Sequence, residues 1–367
     1  MICFDGGDVR LILIEEIKAL GLPLFMCGAG TYCEYLLKYL RLNGITEEIK
    51  FVVDDEYKKD NDGLMTFSEY LREHADNSVM IIAFFDYTIA RKKLEQYKTI
   101  IPHIYDFRIN CVQDRLLIWD KAEAQQRLTA YEETYSMLAD DKSRRTMELY
   151  LRAAVNGEFN NLFDECYENT AYFNSVTEKI QIDVLVDCGA FDGDDIYDFV
   201  KVFPLYKMIY AFEPDLDNVS KMQRNMSKDG IRNVKIINKG VFSESTVLKF
   251  SSNEGVASHL SGEGDVLVPV VTLDEVPLDN CTGNLLIKMD IEGSEMDALR
   301  GVAETIRMKH PCLTICVYHK EEDLITIPQY IDSLVETGTY DYYLRFHGFS
   351  LSELVFYAIP HENNQVM

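Results

Sequence analysis

The stretch VLVDCGAFDGDD, residues 184–195, decides the fold. An apolar strand runs up to Asp187. A Gly-x-x-x-Gly turn follows, from Gly189 to Gly193, and opens into the helical pattern IYDFVKVF. Glycines in such a turn let the backbone bend sharply and come close to a ligand. In an open α/β sheet that ligand lies at the carboxyl ends of the strands. Phe191 stands where a Gly-x-Gly fingerprint needs its second glycine, which argues against a dinucleotide pyrophosphate.

The next strand ends in YAFEPD (210–215). Glu213 lies 20 residues beyond Gly193 (213 − 193). An acid at that position can accept two hydrogen bonds from a ribose diol. Further on, LLIKMDIEGSEMDALRG (285–301) places Lys288, Asp290 and Glu292 at i, i+2 and i+4. In an extended strand these point to one face. Central parallel strands normally read as continuously apolar, so charges at the carboxyl end mark a site. The structural alternative is an ion pair of Lys288 with Asp290 or Glu292. Gly293 and Ser294 suit the turn and the helix cap that follow. His319, in ICVYHK (315–320), ends the following strand on the same rim.

Seven strand candidates fill residues 181–360: VLVDCG, KMIYAFEP, NVKIINKGV, LLIKMDIEG, CLTICVYHK, YDYYLRFHG and LVFYAIP. The last two have a short connection and are expected to be antiparallel. Between the third and fourth, TVLKFSSNEGVASHLSGEGDVLVPVVTLDEV reads as a hairpin excursion. Its Ser258 and His259 are candidates to touch a substrate, since insertions between strands often set substrate choice.

Residues 1–110 also alternate strand and helix: LPLFMC, then TYCEYLLKYLRLNG, IKFVVDD, VMIIAFF and the segment around Ile101–Phe107. Here Gly28 and Gly30 follow a strand, Asp54 ends the next one, and Cys33 replaces a third glycine. An incomplete Gly-x-Gly is a weak signal. The domain reads as a small Rossmann-like module: structural, substrate-recruiting, or, third in order, an NAD-using enzyme. Residues 111–180 hold the helix-forming run 120–155, without Pro or Gly, and are expected to form a helical linker.

Composition sets the outer limits. With 47% hydrophobic residues there is ample material for packed cores. A net charge of −25, from 36 basic and 61 acidic side chains, would repel nucleic acid. No apolar run is long enough for a membrane span, and the N-terminus lacks the pattern of a secretory signal. A cytoplasmic protein is expected, with its oligomeric state open. The nine cysteines form no CxxC pair and read as reduced core residues.

VDCGAFDGDD, YAFEPD, IKMDIEGSEMDALRG and VYHK, in this order and at these distances, resemble the FkbM family of S-adenosylmethionine-dependent methyltransferases. The resemblance covers about residues 180–360. One departure is AFDG, where many members have Ala-Asn-x-Gly. The resemblance implies a class I methyltransferase fold: a seven-stranded, mostly parallel sheet with one reversed strand. It implies an O-methyltransferase acting on a hydroxyl of a sugar, glycan or related small molecule. It places Asp187, Gly189, Ala190 and Gly193 around the methionine part of the cofactor, and Glu213 at the ribose with Pro214 beside it. Val241 and Phe242 would line the adenine, and Asp290 would approach the reacting end. Asp290 or His319 is the expected base, with Lys288 orienting a carboxylate and Glu292 a further candidate. A divalent metal on these carboxylates is left open. The competing reading is a non-catalytic scaffold or sensor for nucleotides or nucleotide sugars.

Overall fold

The computed structural model describes residues 2–60, 64–109, 111–112, 115–116, 119–250, 266–278 and 283–361. Ser258 and His259 lie outside these residues. The chain divides into two compact units. One comprises Met1–Arg127, Glu148–Glu165 and Gly348–Ser352; the other comprises Leu128–Met147, Cys166–His347 and Glu353–Met367.

In the first unit α1 (Val9–Leu20) precedes a five-stranded sheet. Its strands are β1 (Leu24–Cys27), β2 (Ile49–Val53), β3 (Met65–Thr66), β4 (Val79–Ile82) and β5 (Ile104–Asp106). They pair in the order β3-β2-β1-β4-β5, all parallel. The helices α2 (Thr31–Leu42), α3 (Phe67–Glu73) and α4 (Tyr87–Tyr97) alternate with the strands. Side chains alternate across the sheet, so Leu24 and Met26 enter one core with Ile81 and Leu36, while Phe25 and Cys27 enter another with Val52 and Tyr70. Asp54, at the end of β2, is ion-paired with Lys93. A two-residue antiparallel pair follows, β6 (Cys111–Val112) with β7 (Arg115–Leu116). Four helices come next: α5 (Lys121–Gln126), α6 (Leu128–Met137), α7 (Asp141–Asn156) and α8 (Phe159–Cys166).

The second unit is built on β8 (Val184–Cys188), β9 (Met208–Phe212), β10 (Val234–Ile237), β14 (Leu285–Met289), β15 (Cys312–Cys316), β16 (Tyr340–Phe346) and β17 (Leu354–Pro360). Their order is β10-β9-β8-β14-β15-β17-β16. β17 runs antiparallel to both of its neighbours; every other pairing is parallel. This is the seven-stranded sheet with one reversed strand that the sequence led us to expect. The central strands β8, β14 and β15 are buried along their whole length. Apart from Asp187, Lys288 and Thr314 they carry the apolar run of strands covered on both faces. The helices of this sheet are α9 (Asp194–Val202), α10 (Leu216–Asp229), α11 (Glu295–Arg300), α12 (Ala303–Lys309) and α13 (Asp323–Ser333). The excursion between β10 and β14 forms a small sheet. There β12 (Thr246–Phe250) pairs antiparallel with β13 (Val266–Val271), and β11 (Gly240–Val241) lies parallel on the other side of β13. Six of the nine cysteines are buried: Cys27, Cys33, Cys166, Cys188, Cys312 and Cys316.

Candidate functional site

β8 ends at Cys188, and the chain turns at once. Gly189 has φ +82°, and a Cβ there would sit 1.9 Å from the carbonyl oxygen of Asp290. Only glycine fits between the two chain ends. The amides of Gly189 and Ala190 both donate to the Phe212 carbonyl, at 3.1 and 3.0 Å, which ties the loop to β9. Gly193 then caps α9 with φ +89°.

Glu213, directly after β9, is held from two sides. Its Oε2 accepts from the Phe191 amide at 2.9 Å and its Oε1 from the Asp215 amide at 2.8 Å. Burial raises its pKa to about 7, although both amides favour the charged form. Asn238 Nδ2 donates to the carbonyls of Glu213 and Pro214 at 3.0 and 2.8 Å and fixes the turn.

Lys288 is paired in register with Asp187 across β14 and β8. Register partners in neighbouring strands project from the same face, and here the two side chains meet. Nζ lies 3.1 Å from Asp187 Oδ1, 2.8 Å from Asp195 Oδ2 and 3.0 Å from the Gly189 carbonyl. Burial alone would depress the lysine, but Asp187 and Asp195 reverse this and keep it charged. The lysine therefore joins β8 and α9 through its ion pairs with Asp187 and Asp195. The i, i+2, i+4 pattern also breaks. β14 ends at Met289, and Glu292 has φ +55°.

Asp290 and Glu292 instead converge on His319. Nε2 of the ring is 3.6 Å from Asp290 Oδ1 and 3.4 Å from Glu292 Oε2, and Nδ1 is 3.0 Å from Glu295 Oε1. The same Glu295 oxygen accepts from the amides of Ile291 and Gly293 at 2.9 and 3.4 Å, while the side chain of Ser294 makes no capping bond. Burial would lower the pKa of His319, but Glu295, Glu292 and Asp290 together raise it well above its usual value. Asp290 is half-buried, and its pKa is lowered by His319 and Lys288 and by the hydroxyl of Tyr172, which donates to Oδ2 at 2.8 Å. Asp290, Glu295 and His319 present ligand atoms within 4.8 Å of one another. Nδ1 of the imidazole faces Glu295, and Nε2 faces Asp290 and Glu292.

These elements enclose a cavity of about 400 Å³ at the carboxyl ends of β8, β9 and β14. Of the residues expected from sequence, Gly189, Glu213, Pro214, Val241, Lys288, Asp290 and Glu292 line it. Asp187 is fully buried beneath the lining. Ala190 is buried and Gly193 caps α9, and neither is among the lining residues. Phe242 is tied to the small sheet by its backbone, its amide donating to the Val271 carbonyl at 2.9 Å, and is not among the lining residues. His319 stands behind Asp290 and Glu292, 3% exposed. Asp195, Asn218, Tyr318 and Glu353 also line the cavity, and sequence reasoning did not single them out. Asp195 had a signal, an acid in the first turn after the glycine loop. Glu353 had none, because it reaches the rim only through the reversal of β17.

Residues 187–351 match the family described as the methyltransferase FkbM domain. Among curated proteins none matches the chain. Among solved structures, a methyltransferase FkbM from Methylobacillus flagellatus KT is similar over 94% of this chain and 93% of its own, at 20% identity and a TM-score of 0.73. That likeness shows the fold. The O-methyltransferase TomG from Streptomyces achromogenes aligns over 66% of this chain and 96% of its own, at 9% identity and a TM-score of 0.32. The sheet order and the glycine loop agree with the family match, so residues 187–351 are similar to the methyltransferase FkbM domain and lie on the fold of the Methylobacillus flagellatus structure.

Proposed function

We propose that the cavity holds S-adenosylmethionine and that the protein transfers its methyl group to a hydroxyl of a sugar, glycan or related small molecule. One observation carries this reading. The Glu213 carboxylate, fixed by two amides, faces the same cavity as the glycine loop and Asp290. A volume of about 400 Å³ suits a ligand of cofactor size.

In this reading Glu213 accepts from the ribose hydroxyls, with Pro214 and Val241 on the adenine side and Phe242 supporting them. The backbone from Gly189 to Gly193 surrounds the methionine part. Asp187 acts from beneath, through Lys288. Asp290, Glu292 and His319 set the charge of the reacting end. The cofactor supplies the reactive methyl group; the protein positions the acceptor and takes up its proton. The lining acids Asp194, Asp195, Glu213, Asp215, Asp290, Glu292 and Glu353 face one lysine, already paired. Such a field disfavours phosphate-rich acceptors and favours neutral or amine-bearing ones. Ser258 and His259 remain candidates for acceptor contact, and the N-terminal module for acceptor recruitment.

The test is calorimetric titration with S-adenosylhomocysteine, followed by methyl transfer from labelled cofactor to a panel of sugar hydroxyls. Tight S-adenosylhomocysteine binding with product on at least one hydroxyl is expected. Binding without turnover on any member would favour the scaffold reading.

A further inference from the structure

Glu353 immediately precedes β17. Because that strand is reversed, its first residue lies on the rim where β14 and β15 end. The backbone of Glu353 has φ +59°, a left-handed conformation that costs energy for any residue with a Cβ. Such strain persists where surrounding contacts impose it and gathers at active sites. Here the Glu353 carbonyl accepts from the His347 amide at 2.9 Å, and Oε1 accepts from the Tyr318 hydroxyl at 3.4 Å. The side chain is left facing the cavity beside Asp290, Asp195 and Tyr318.

Asp195, Asp290, Glu292 and His319, by contrast, are each set against a charged partner. Asp195 is bound to Lys288. Asp290 accepts from Tyr172 and faces His319, and Glu292 faces the same ring. His319 sits among three carboxylates that keep its proton on. A proton acceptor has to be free of a proton and near in affinity to the working pH.

We propose that Glu353 is the catalytic base, taking the proton of the acceptor hydroxyl as its oxygen attacks the sulfonium methyl. The O–C bond forms and the C–S bond breaks. Sulfur keeps the electron pair and leaves as neutral S-adenosylhomocysteine, and the proton on Glu353 returns to water as product departs. The proposal rests on the hydroxyl-methylation reading. Burial, then the charge of Asp290, raises Glu353 to about 7, with Asp195 adding to this and His319 and Lys288 opposing it. The rate should therefore rise with pH through about 7.

The experiment compares wild type with Glu353→Gln, Glu353→Asp and Glu353→Gly. It follows S-adenosylhomocysteine formation on methyl glycosides, amino sugars and UDP-glucose, and measures S-adenosylhomocysteine affinity separately. Glu353→Gln should lower kcat by about 10²–10⁴-fold, keep cofactor-product affinity within about twofold and lose the acid limb of the pH profile. Glu353→Asp should retain that limb and part of the rate. Glu353→Gly should melt above wild type, since glycine accepts this φ, yet be as slow as Glu353→Gln. A Glu353→Gln enzyme within about threefold of wild-type kcat, with the limb intact, overturns the proposal alone. A wild type that binds S-adenosylhomocysteine but methylates no hydroxyl overturns the hydroxyl reading and, with it, the role of Glu353.

Discussion

Lys288 and Asp187 sit opposite each other on adjacent parallel strands, Nζ 3.1 Å from Oδ1, both out of contact with solvent. Their charges compensate only as a pair, with Asp195 completing the coordination of the ammonium. Removing the lysine leaves buried carboxylates uncompensated, which typically costs about 3–5 kcal/mol. Lys288→Met is expected to lose stability on that scale in chemical denaturation. The double variant Lys288→Met/Asp187→Leu should recover part of the loss. An additive double variant would show that the two side chains do not act together.

Glu213 offers a different test, because two backbone amides hold its carboxylate while it lines the cavity. Glu213→Gln should fold normally and bind S-adenosylhomocysteine about 10–100-fold more weakly, the effect of replacing charged hydrogen bonds by neutral ones. The sign of the pH dependence follows from burial, which lifts this acid to about 7. The carboxylate form accepts the ribose hydrogen bonds, so wild-type affinity should fall as pH drops from 8 to 6. Glu213→Gln should show no such fall. Calorimetry at three pH values decides.

Gly189 allows no side chain. Gly189→Ala would place its methyl group 1.9 Å from the Asp290 carbonyl oxygen and force β8 and β14 apart at their ends. We expect loss of S-adenosylhomocysteine binding and a lower melting temperature. An alanine variant that binds like wild type would mean that the loop is not held against Asp290.

These sites differ in how much of them could be read from the sequence. The glycine loop and Glu213 were legible because local chemistry specifies them: a turn needs glycine, and a strand end presents its next side chain. Lys288, Asp290 and Glu292 were legible as a site but not as a geometry. The partner of Lys288 is set by the register of β14 against β8, which no local pattern records. Glu292 leaves the strand face through its left-handed backbone. Tyr172, which donates to Asp290 at 2.8 Å, comes from 118 residues earlier in the chain and carries no motif. The seven strands were legible because buried strands are written as apolar runs between turn residues.

His347 predicts how stability responds to acid. Its Nε2 accepts from the Tyr357 hydroxyl at 2.8 Å, since that hydroxyl already accepts from Asn174, and its Nδ1 donates to the Glu168 carbonyl at 2.9 Å. Burial, with Arg345 and Lys142 nearby, pushes its pKa from 6.5 to about 4. The unfolded chain therefore takes up a proton that the folded one refuses. The contribution is intact above pH 6.5 and is lost as pH falls from there toward 4. It should amount to about 2 kcal/mol between pH 7 and pH 5. Urea titrations of wild type and His347→Asn should diverge in pH slope by that amount; parallel slopes would refute the assignment.

The reversal of β17 also sets an order of assembly. The glycine loop at Gly189 and the rim residue Glu353 are 164 positions apart (353 − 189), and the strand that fixes the latter is inserted between two others already made. A nascent chain emerging from the ribosome can fold the β8–β9 half of the cavity long before the opposite wall exists. A cofactor bound at that stage would have neither its proton acceptor nor its closing wall, so chemistry waits for the last strand to dock.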